Sequence, residues 1–250
     1  MLGKYSSLNN IDLVILAGGK GSRIKNLLGK YPKPMLKFNE KHFIQYIFNN
    51  KSKYNFKRII ILCGYRSSIF FKKLHKKKIN LTEIICLKEK KLLGTGGALS
   101  NLTKLNVKNF VLVNGDTIFE IDINLLVSSL KKNNIGTIAL IQNKNQVSKK
   151  LNNLSLKNNT VCIKKNSKLM NGGIYFFKKE VFKYILNKKF SLENDLLPKL
   201  ISMDKINGKI FDNFFIDIGS TEYFKIAEKK LRKNYTKPAI FLDRDGVINY

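Results

Sequence analysis

Short apolar runs alternate with segments of helical period along this chain. Several runs are apolar at nearly every position, which is the pattern of strands buried on both faces; they cover residues 11–16, 58–64, 84–87, 110–113 and 135–141. Between them, apolar residues recur every three or four positions, as on a helix face that includes Phe43, Ile44, Ile47 and Phe48. This alternation predicts an α/β fold, in which helices cover both faces of a mostly parallel sheet.

The second half of the chain has a less regular pattern. Asp122 is suited to cap the helix that follows it. Residues 143–159 are polar and predict a loop or a short hairpin. Residues 160–163 and 173–177 are expected to be paired strands that flank Asn171–Gly172. A last helix is expected over residues 220–233.

Composition narrows the class of protein. With 250 residues, 44% of them hydrophobic, the chain can bury a sizeable core. No apolar run is long enough to span a membrane, and the N-terminus lacks the apolar region of a signal peptide, so a cytoplasmic protein without membrane contact is expected. Cys63, Cys86 and Cys162 form no C-x-x-C pair and are expected to be buried, reduced thiols.

The formal net charge of +30 raises the question of nucleic-acid binding. The excess consists almost entirely of lysine, spread over every segment, and aromatic residues are not interleaved with the basic runs as they are in stacking platforms. The charge therefore supports non-specific affinity only, and no specific nucleic-acid partner is expected.

A glycine-rich turn follows the first predicted strand and reads L-A-G-G-K-G-S-R. Its glycines allow a ligand to approach the main-chain amides, which suits a phosphate group, and Arg23 can form paired hydrogen bonds with phosphate oxygens. The dinucleotide pattern G-x-G-x-x-G is excluded because its third glycine position holds Ile24, and the P-loop ending is missing. A nucleotide-binding turn and an ordinary tight turn both remain open from this segment alone. The residues predicted to contact nucleotide here are Leu16, Ala17, Gly18, Gly19, Lys20 and Gly21.

Six motifs in order resemble those of the sugar-1-phosphate nucleotidyltransferases, from about residue 12 to residue 233. They are L-A-G-G-x-G-x-R at 16–23, P-K-P at 32–34, G-T-G-G-A at 94–98, N-G-D at 114–116, N-G-G-I-Y at 171–175 and D-I-G-S-x-E-Y at 217–223. The resemblance implies a Rossmann-like three-layer α/β/α sandwich with a mixed, mostly parallel sheet. It also implies transfer of a nucleoside monophosphate to a sugar 1-phosphate with release of pyrophosphate, and it leaves a homo-oligomer open.

The resemblance assigns roles to particular residues. Arg23 and Lys33 would stabilise charge on the phosphates, and Asp116 and Asp217 would hold Mg²⁺, although either aspartate could instead cap a turn. The second glycine turn would approach the nucleoside, with its last two glycines leaving room for base or ribose; it comprises Gly94, Thr95, Gly96 and Gly97. The sugar phosphate would contact Lys164 or Lys165, Asn171, Gly172 and Glu193. A glutamate that precedes the lysine in many relatives is missing here, where residues 163–165 read I-K-K.

Two further stretches bear on substrate and domain organisation. Residues 191–198 resemble those of D-glycero-D-manno-heptose 1-phosphate guanylyltransferases, which favours GTP and a heptose 1-phosphate; mannose, glucose and N-acetylglucosamine 1-phosphates stay open. Residues 241–249 resemble the first motif of haloacid-dehalogenase-type phosphatases, with Asp243 as nucleophile and Asp245 as general acid/base. The expected division is a transferase domain at 1–234 and, at 235–250, a linker with the truncated start of a phosphatase domain.

Two alternative functions make different demands on the charged residues of the sequence. A domain that binds a nucleotide sugar without turnover would have lost some of the charged residues named above, whereas Arg23, Lys33, Asp116 and Asp217 are all present. A glycosyltransferase of related fold would need a D-x-D metal motif in its catalytic body, and D-I-G at 217–219 does not match it.

Overall fold

The computed structural model describes residues 8–142, 154–164, 167–186 and 188–235. The predicted linker and phosphatase-type motif, apart from Tyr235, lie outside the described residues, as do Lys165 and most of the polar stretch at 143–159. Tyr235 itself belongs to the last helix and packs edge-on against Tyr46, with 5.0 Å between the ring centroids.

The strands that the structure describes run from residue 11 to residue 217. They are β1 (Ile11–Ala17), β2 (Lys37–Phe38), β3 (Lys41–His42), β4 (Ile59–Cys63), β5 (Lys78–Ile79), β6 (Thr82–Lys88), β7 (Asn109–Asn114), β8 (Thr117–Phe119), β9 (Gly136–Gln142), β10 (Leu154–Lys157), β11 (Thr160–Ile163), β12 (Leu169–Phe177), β13 (Ile206–Phe211) and β14 (Phe215–Asp217).

Ten of these strands form one mixed sheet in the order β10-β11-β13-β9-β12-β7-β1-β4-β6-β5. β7, β1, β4 and β6 are parallel neighbours, and so are β9 and β13. β12 runs antiparallel between β7 and β9. In the centre of the sheet, from β13 to β6, every strand except β12 therefore has the same direction, and the mostly parallel sheet is confirmed.

Helices cover both faces of this sheet. The α-helices are α1 (Lys25–Leu28), α2 (Phe43–Lys51), α3 (Ser67–Leu74), α4 (Gly94–Gly97), α5 (Ile123–Ser128), α6 (Leu197–Ser202) and α7 (Thr221–Tyr235). Segments of 3₁₀ helix include Lys33–Met35, Ala98–Leu105 and Lys179–Tyr184, and a π-helical turn spans Leu192–Leu196. The predicted cap is confirmed, since the Asp122 Oδ1 atom accepts a hydrogen bond of 2.9 Å from the Asn124 amide.

Successive residues of the central strands enter two separate hydrophobic cores. Leu13 and Ile15 pack into one core with α2, α5 and α7, while Val14 packs into the other with the 3₁₀ helix Ala98–Leu105 and α6. All three side chains are fully buried. Burial on both faces explains why these strands are apolar throughout, and it confirms the three-layer sandwich.

The predicted pairing of residues 160–163 with 173–177 is wrong. β11 pairs with β10 and β13, whereas β12 runs uninterrupted through Asn171 and Gly172 between β7 and β9. Gly173 adopts a φ of +71°, and the register against β9 shifts between Asn171 and Tyr175. The glycines therefore form an irregularity inside one strand rather than a turn between two.

Two other expectations concern cysteines and membranes. The three thiols are free, and Cys63 and Cys86 are buried as predicted, but Cys162 on the peripheral strand β11 is only half-buried. Among the described helices, none is both long enough and apolar enough to cross a bilayer.

Candidate active site

The first glycine turn and the N-G-D segment meet at the carboxyl ends of two adjacent parallel strands. Leu16 of β1 is the register partner of Asn114 of β7, and the Gly115 amide donates a 2.9 Å hydrogen bond to the Leu16 carbonyl. A Cβ on Gly115 would lie 2.5 Å from that carbonyl, so only glycine allows the two strand ends to approach this closely. This edge of a parallel sheet is where α/β proteins bind ligands.

The glycine turn is anchored on one side and open on the other. The Gly18 carbonyl accepts a 3.1 Å hydrogen bond from the Tyr65 amide, and Gly21 has a φ of +66° that begins the 3₁₀ turn Ser22–Ile24. Gly19 and Lys20 are exposed, and nothing lies within 4 Å of the position that a Cβ on Gly19 would take. The exposed backbone between these anchors has the room that a phosphate group needs.

An ion pair links the proline-flanked lysine to the N-G-D aspartate. Lys33 Nζ lies 2.8 Å from Asp116 Oδ2, and the two side chains are 14% and 31% exposed. Pro32 and Pro34 are buried and set the path of the chain, so that Lys33 reaches across from a different segment to the end of β7.

Asp217 completes a cluster of opposed charges. It ends β14, where it is the register partner of Thr117, and the next amide, that of Ile218, donates a 3.0 Å hydrogen bond to the Asp116 carbonyl. Burial and then the negative charge of Asp116 raise the pKa of Asp217 to about 6, against the lowering effects of the Gly219 amide, Lys33 and Arg23. The structure therefore brings together the two predicted metal ligands and the two predicted phosphate-binding cations.

The donor set of this cluster fits a hard divalent cation. Burial and then the negative charge of Asp116 raise the pKa of Asp217, and a cation between the two carboxylates would offset their repulsion. No group of three or more histidine, cysteine, aspartate or glutamate side chains suited to a metal occurs among the described residues. A cation held by Asp116 and Asp217 would therefore take its remaining oxygen ligands from phosphate groups and water.

The second glycine turn, α4, packs against another part of the chain. Gly96 and Gly97 are buried, and their small size makes room for the protein itself: a Cβ on Gly96 would lie 2.8 Å from the Phe190 ring, and one on Gly97 would overlap the Lys188 carbonyl. The space that these two glycines leave on their Cβ side is therefore occupied by the protein itself, and their contact with base or ribose stays a prediction. Both amides donate to the Phe190 carbonyl, at 3.1 and 3.3 Å, which fastens the turn to the segment before Ser191.

Thr95 connects this turn to the predicted sugar-binding glutamate. The Thr95 hydroxyl donates a 2.7 Å hydrogen bond to Glu193 Oε2 and accepts a 2.8 Å hydrogen bond from the Leu192 amide. The Ser191 hydroxyl donates to the same carboxylate oxygen at 3.2 Å. Two hydroxyl groups therefore hold Glu193 in one orientation.

The N-G-G segment of β12 lies beside the cluster of Arg23, Lys33, Asp116 and Asp217. Asn171 donates a 2.7 Å hydrogen bond to the Tyr175 hydroxyl and accepts one of 2.9 Å from the Gly173 amide. Tyr175 is fully buried, and its pKa is raised well above the ordinary value by burial and then by the charge of Glu193. Gly172 packs against the Phe119 ring, which a Cβ would approach to 2.5 Å.

Lys164 is exposed just after β11, whose last residue Ile163 is the register partner of Leu154; Leu154 in turn pairs with Leu169 at the start of β12. None of the described contacts links it to Asp116 or Asp217, and Lys165 lies outside the described residues. The contact of either lysine with the sugar phosphate therefore stays a prediction.

Sequence reasoning missed Glu89, which follows β6. Its side chain is buried, and its Oε1 atom occupies the space beside Gly18, while Oε2 accepts a 3.2 Å hydrogen bond from the Leu93 amide. Burial raises its pKa. Glu89 thus lies between the two glycine turns. The available signal was a single acid in the lysine run K-E-K-K, five residues before Gly94.

Comparison with known proteins gives the family. The Nucleotidyl transferase family model matches residues 13–151, more than half of the chain. The chain belongs to the nucleotidyl transferase family. It is accordingly a nucleotidyltransferase, as its motifs predict.

Two curated relatives match this nucleotidyltransferase over nearly their whole length. Both are named D-glycero-alpha-D-manno-heptose 1-phosphate guanylyltransferase. The protein from Campylobacter jejuni is 32% identical over 219 residues, which are 85% of this chain and 96% of the relative. The one from Aneurinibacillus thermoaerophilus is 28% identical over 232 residues, which are 89% of this chain and 99% of the relative.

A solved structure gives the same result. HddC from Yersinia pseudotuberculosis, crystallised also as a complex with GMP-PN, is 29% identical and superposes with a TM-score of 0.72. The match covers 88% of this chain and 99% of HddC. The similarity thus extends over the whole transferase fold.

Proposed function

We propose that this nucleotidyltransferase transfers GMP from GTP to D-glycero-D-manno-heptose 1-phosphate, releasing pyrophosphate and forming a nucleotide sugar for surface polysaccharide synthesis. The observation that carries the reaction type is the cluster of Arg23, Lys33, Asp116 and Asp217 at the carboxyl ends of the strands. The full-length match to two heptose 1-phosphate guanylyltransferases supports the choice of substrates. A nucleoside triphosphate substrate and free thiols suit a cytoplasmic enzyme.

The reaction needs charge neutralisation and in-line positioning more than a covalent nucleophile. The turn at residues 18–21 would bind the triphosphate through its amides, and Arg23 would neutralise charge on the reacting and leaving phosphates. Lys33 would do the same while remaining within reach of Asp116. A Mg²⁺ ion held by Asp116 and Asp217 would supply Lewis-acid stabilisation of the α-phosphate.

The sugar phosphate would lie between β12 and the π-helical turn. Glu193, oriented by Thr95 and Ser191, offers acceptors to sugar hydroxyl groups, and Asn171 offers an amide on the opposite side. The attacking atom is an oxygen of the sugar 1-phosphate; a bond forms between it and the α-phosphorus as the bond to pyrophosphate breaks. Holding both substrates in this arrangement is the main contribution of the protein.

Glu89 supports guanine as the base. When ionised, its carboxylate has acceptors only, which match the adjacent N1–H and N2–H donors of guanine. Uracil and thymine present one N–H between two carbonyl groups and suit an amide side chain better. We expect Glu89→Gln to lower kcat/KM for GTP at least tenfold relative to UTP, while Glu83→Gln, an exposed change on the preceding strand β6, leaves the ratio unchanged.

The test is pyrophosphate release in the presence of Mg²⁺, with each nucleoside triphosphate crossed against heptose, mannose, glucose and N-acetylglucosamine 1-phosphates. Turnover with GTP and the heptose 1-phosphate alone is the expected result. A different productive pair would replace the substrates and keep the reaction. Absence of turnover from folded protein that still binds nucleotide would favour a binding domain instead.

We further propose that residues 241–249 form the first motif of a haloacid-dehalogenase-type phosphatase domain, with Asp243 as nucleophile. Its support is the sequence F-L-D-R-D-G-V-I-N alone. Reading the genomic frame beyond the codon for Tyr250 tests this proposal: a following α/β domain is expected, and a frame without one would refute it.

A further inference from the structure

A cavity of about 670 Å³ lies next to the second glycine turn and is lined in part by Leu93, whose amide donates a hydrogen bond to Glu89. Its walls come from the loop after β6, the 3₁₀ helix Ala98–Leu105 and the end of the 3₁₀ helix Lys179–Tyr184. None of the residues predicted to bind substrate or metal lines it. It is therefore a second concave site, separate from the one described above.

The lining combines positive charge with an apolar wall. Lys90, Lys91 and Lys104 are exposed at its edge, and none of the described residues that line it is acidic. Phe182 and Ile185 are half-buried and form the apolar part, and the Phe182 ring stacks on Phe110 with 5.7 Å between centroids. A ligand that fits would pair an anionic group with a flat or apolar group.

The polar groups inside the cavity are held in place. Asn101 is buried, donates a 3.1 Å hydrogen bond to the Ala98 carbonyl and accepts one of 2.8 Å from Lys104 Nζ. This hydrogen bond orients the Lys104 ammonium toward Asn101. Lys104 keeps further donors for an anion, since an ammonium group has three.

We infer that this cavity binds a nucleoside phosphate, with the phosphates at Lys90, Lys91 and Lys104 and the base against Phe182 and Ile185. The volume suits a mononucleotide, which fills a site of a few hundred Å³. The three ammonium groups match the charge of a di- or triphosphate. This inference goes beyond the proposed function and does not depend on which sugar the enzyme uses.

A ligand there would act on the catalytic side through Leu93. The Leu93 carbonyl accepts a 2.9 Å hydrogen bond from the Phe190 amide, and its side chain contacts Gly97, where an added Cβ would lie 2.7 Å from Leu93 Cβ. Ser100, another lining residue, donates to the Gly97 carbonyl at 2.8 Å. Occupation of the cavity would therefore restrain α4 from behind.

The test is equilibrium binding of GDP to the full chain in the presence of EDTA, measured by calorimetry. Two sites per chain are expected. The double variant Lys90→Glu/Lys104→Glu should lose one site, or weaken it at least tenfold, and keep the other. The matched control Lys229→Glu/Lys230→Glu, which reverses two exposed lysines on α7, should retain both.

Location and chemistry are checked separately. Photo-crosslinking with 8-azido-GDP should label peptides covering residues 98–105 and 179–185 as well as peptides of the catalytic site. The label on residues 98–105 and 179–185 should vanish in the double variant Lys90→Glu/Lys104→Glu, here called the rim variant. GDP binding that the rim variant leaves unchanged in both the number of sites and the affinity would overturn the inference, whether the parent protein shows one site or two. So would displacement of second-site GDP by inorganic pyrophosphate as effectively as by GMP, since the phosphates alone would then account for binding. Because none of these readouts requires turnover, a failure of the proposed function would not be mistaken for a failure here.

Discussion

At the residue scale, the site rests on a balance between two carboxylates and two cations. Asp116 is paired with Lys33 at 2.8 Å, and its charge helps to raise the pKa of Asp217 to about 6. Neutralising Asp116 would therefore release Lys33 and lower the pKa of Asp217 at the same time. Both changes alter charges that the reaction uses.

We predict that Asp116→Asn lowers kcat by about 10²–10³-fold, a loss typical of removing one preorganised electrostatic contact. The fold should be kept, because the Asp116 carbonyl still accepts the hydrogen bond from the Ile218 amide when the side chain is changed. Pyrophosphate release at saturating substrates measures the effect, and thermal unfolding checks the fold. Asp122→Asn is the matched control, since asparagine also caps helices and Asp122 is outside the cluster; a similar loss in that variant would show a general effect.

A second prediction concerns Thr95, whose hydroxyl orients Glu193. Thr95→Val removes the donor to Glu193 and the acceptor for the Leu192 amide, while its shape is nearly unchanged. We expect KM for the sugar 1-phosphate to rise at least tenfold with a smaller change in KM for the nucleotide. Thr95→Ser restores the hydroxyl and should restore KM. Equal increases in both KM values, or no rescue by serine, would contradict the positioning role.

At the element scale, α4 is built for contact with the segment at 188–192. Gly94 has a φ of +77°, and a Cβ there would lie 2.6 Å from the Phe190 carbonyl. Gly97 is equally confined by the Lys188 carbonyl. Because these neighbours are backbone atoms, they cannot move aside without shifting the segment that carries Glu193.

We therefore predict that Gly97→Ala destabilises the protein by about 1–3 kcal/mol, the usual cost of overpacking, and impairs the sugar side of the site. Gly19→Ala is the comparison, because a Cβ at Gly19 meets nothing within 4 Å. Gly19→Ala should leave the free energy of unfolding unchanged even if nucleotide binding weakens. Chemical denaturation of the two variants measures the difference, and equal stabilities would refute the packing role.

The elements that sequence reasoning found are those whose signal is local. β4 is apolar at every position, and β1 at every position except Asp12, because both faces are buried, and the Asp122 cap needs only its own backbone neighbours. β12 was misjudged because Asn171–Gly172 has the composition of a turn, while its place between β7 and β9 depends on residues far along the chain.

The site shows the same division. The resemblance predicted roles for Arg23, Lys33, Asp116 and Asp217 at one site, but the shared edge of a parallel sheet accounts only for the glycine turn and Asp116, because Asp217 ends β14 in a separate pair with β8. The packing of Gly96 and Gly97 against residues 188–192 was not predicted, because composition alone does not say whether a glycine makes room for a ligand or for another part of the chain. Glu89 was missed because burial of a single acid in a lysine-rich run has no local signature.

At the scale of the whole molecule, one of the lysines that the structure describes is buried. Lys51, at the end of α2, donates a 2.9 Å hydrogen bond to the Phe119 carbonyl of β8 and is 3% exposed. Burial, then the nearby charge of Lys53, lowers its pKa to about 7, and only Glu120 opposes the shift. This charge sits in the core that joins α2 to β8, so its protonation affects the stability of the whole fold.

The direction of that effect follows from proton linkage. In the unfolded chain Lys51 titrates near its ordinary value of 10.5, so between about pH 7 and 10.5 the unfolded chain binds a proton that the folded protein lacks. This residue therefore makes the free energy of unfolding rise with pH across that window. Below about pH 7 both states are protonated, and the penalty for the buried charge is constant.

We predict that Lys51→Met removes this rise, because methionine fills a similar volume without a titratable group. Urea denaturation of parent and variant between pH 6 and 9 measures the slopes; the difference in unfolding free energy should favour the variant most at pH 6 and shrink as pH increases. Lys57→Met, which removes an exposed lysine, should run parallel to the parent. If Lys51→Met also runs parallel, the lysine is charged at all these pH values, and water must reach a position that the packing of α2 against β8 closes off.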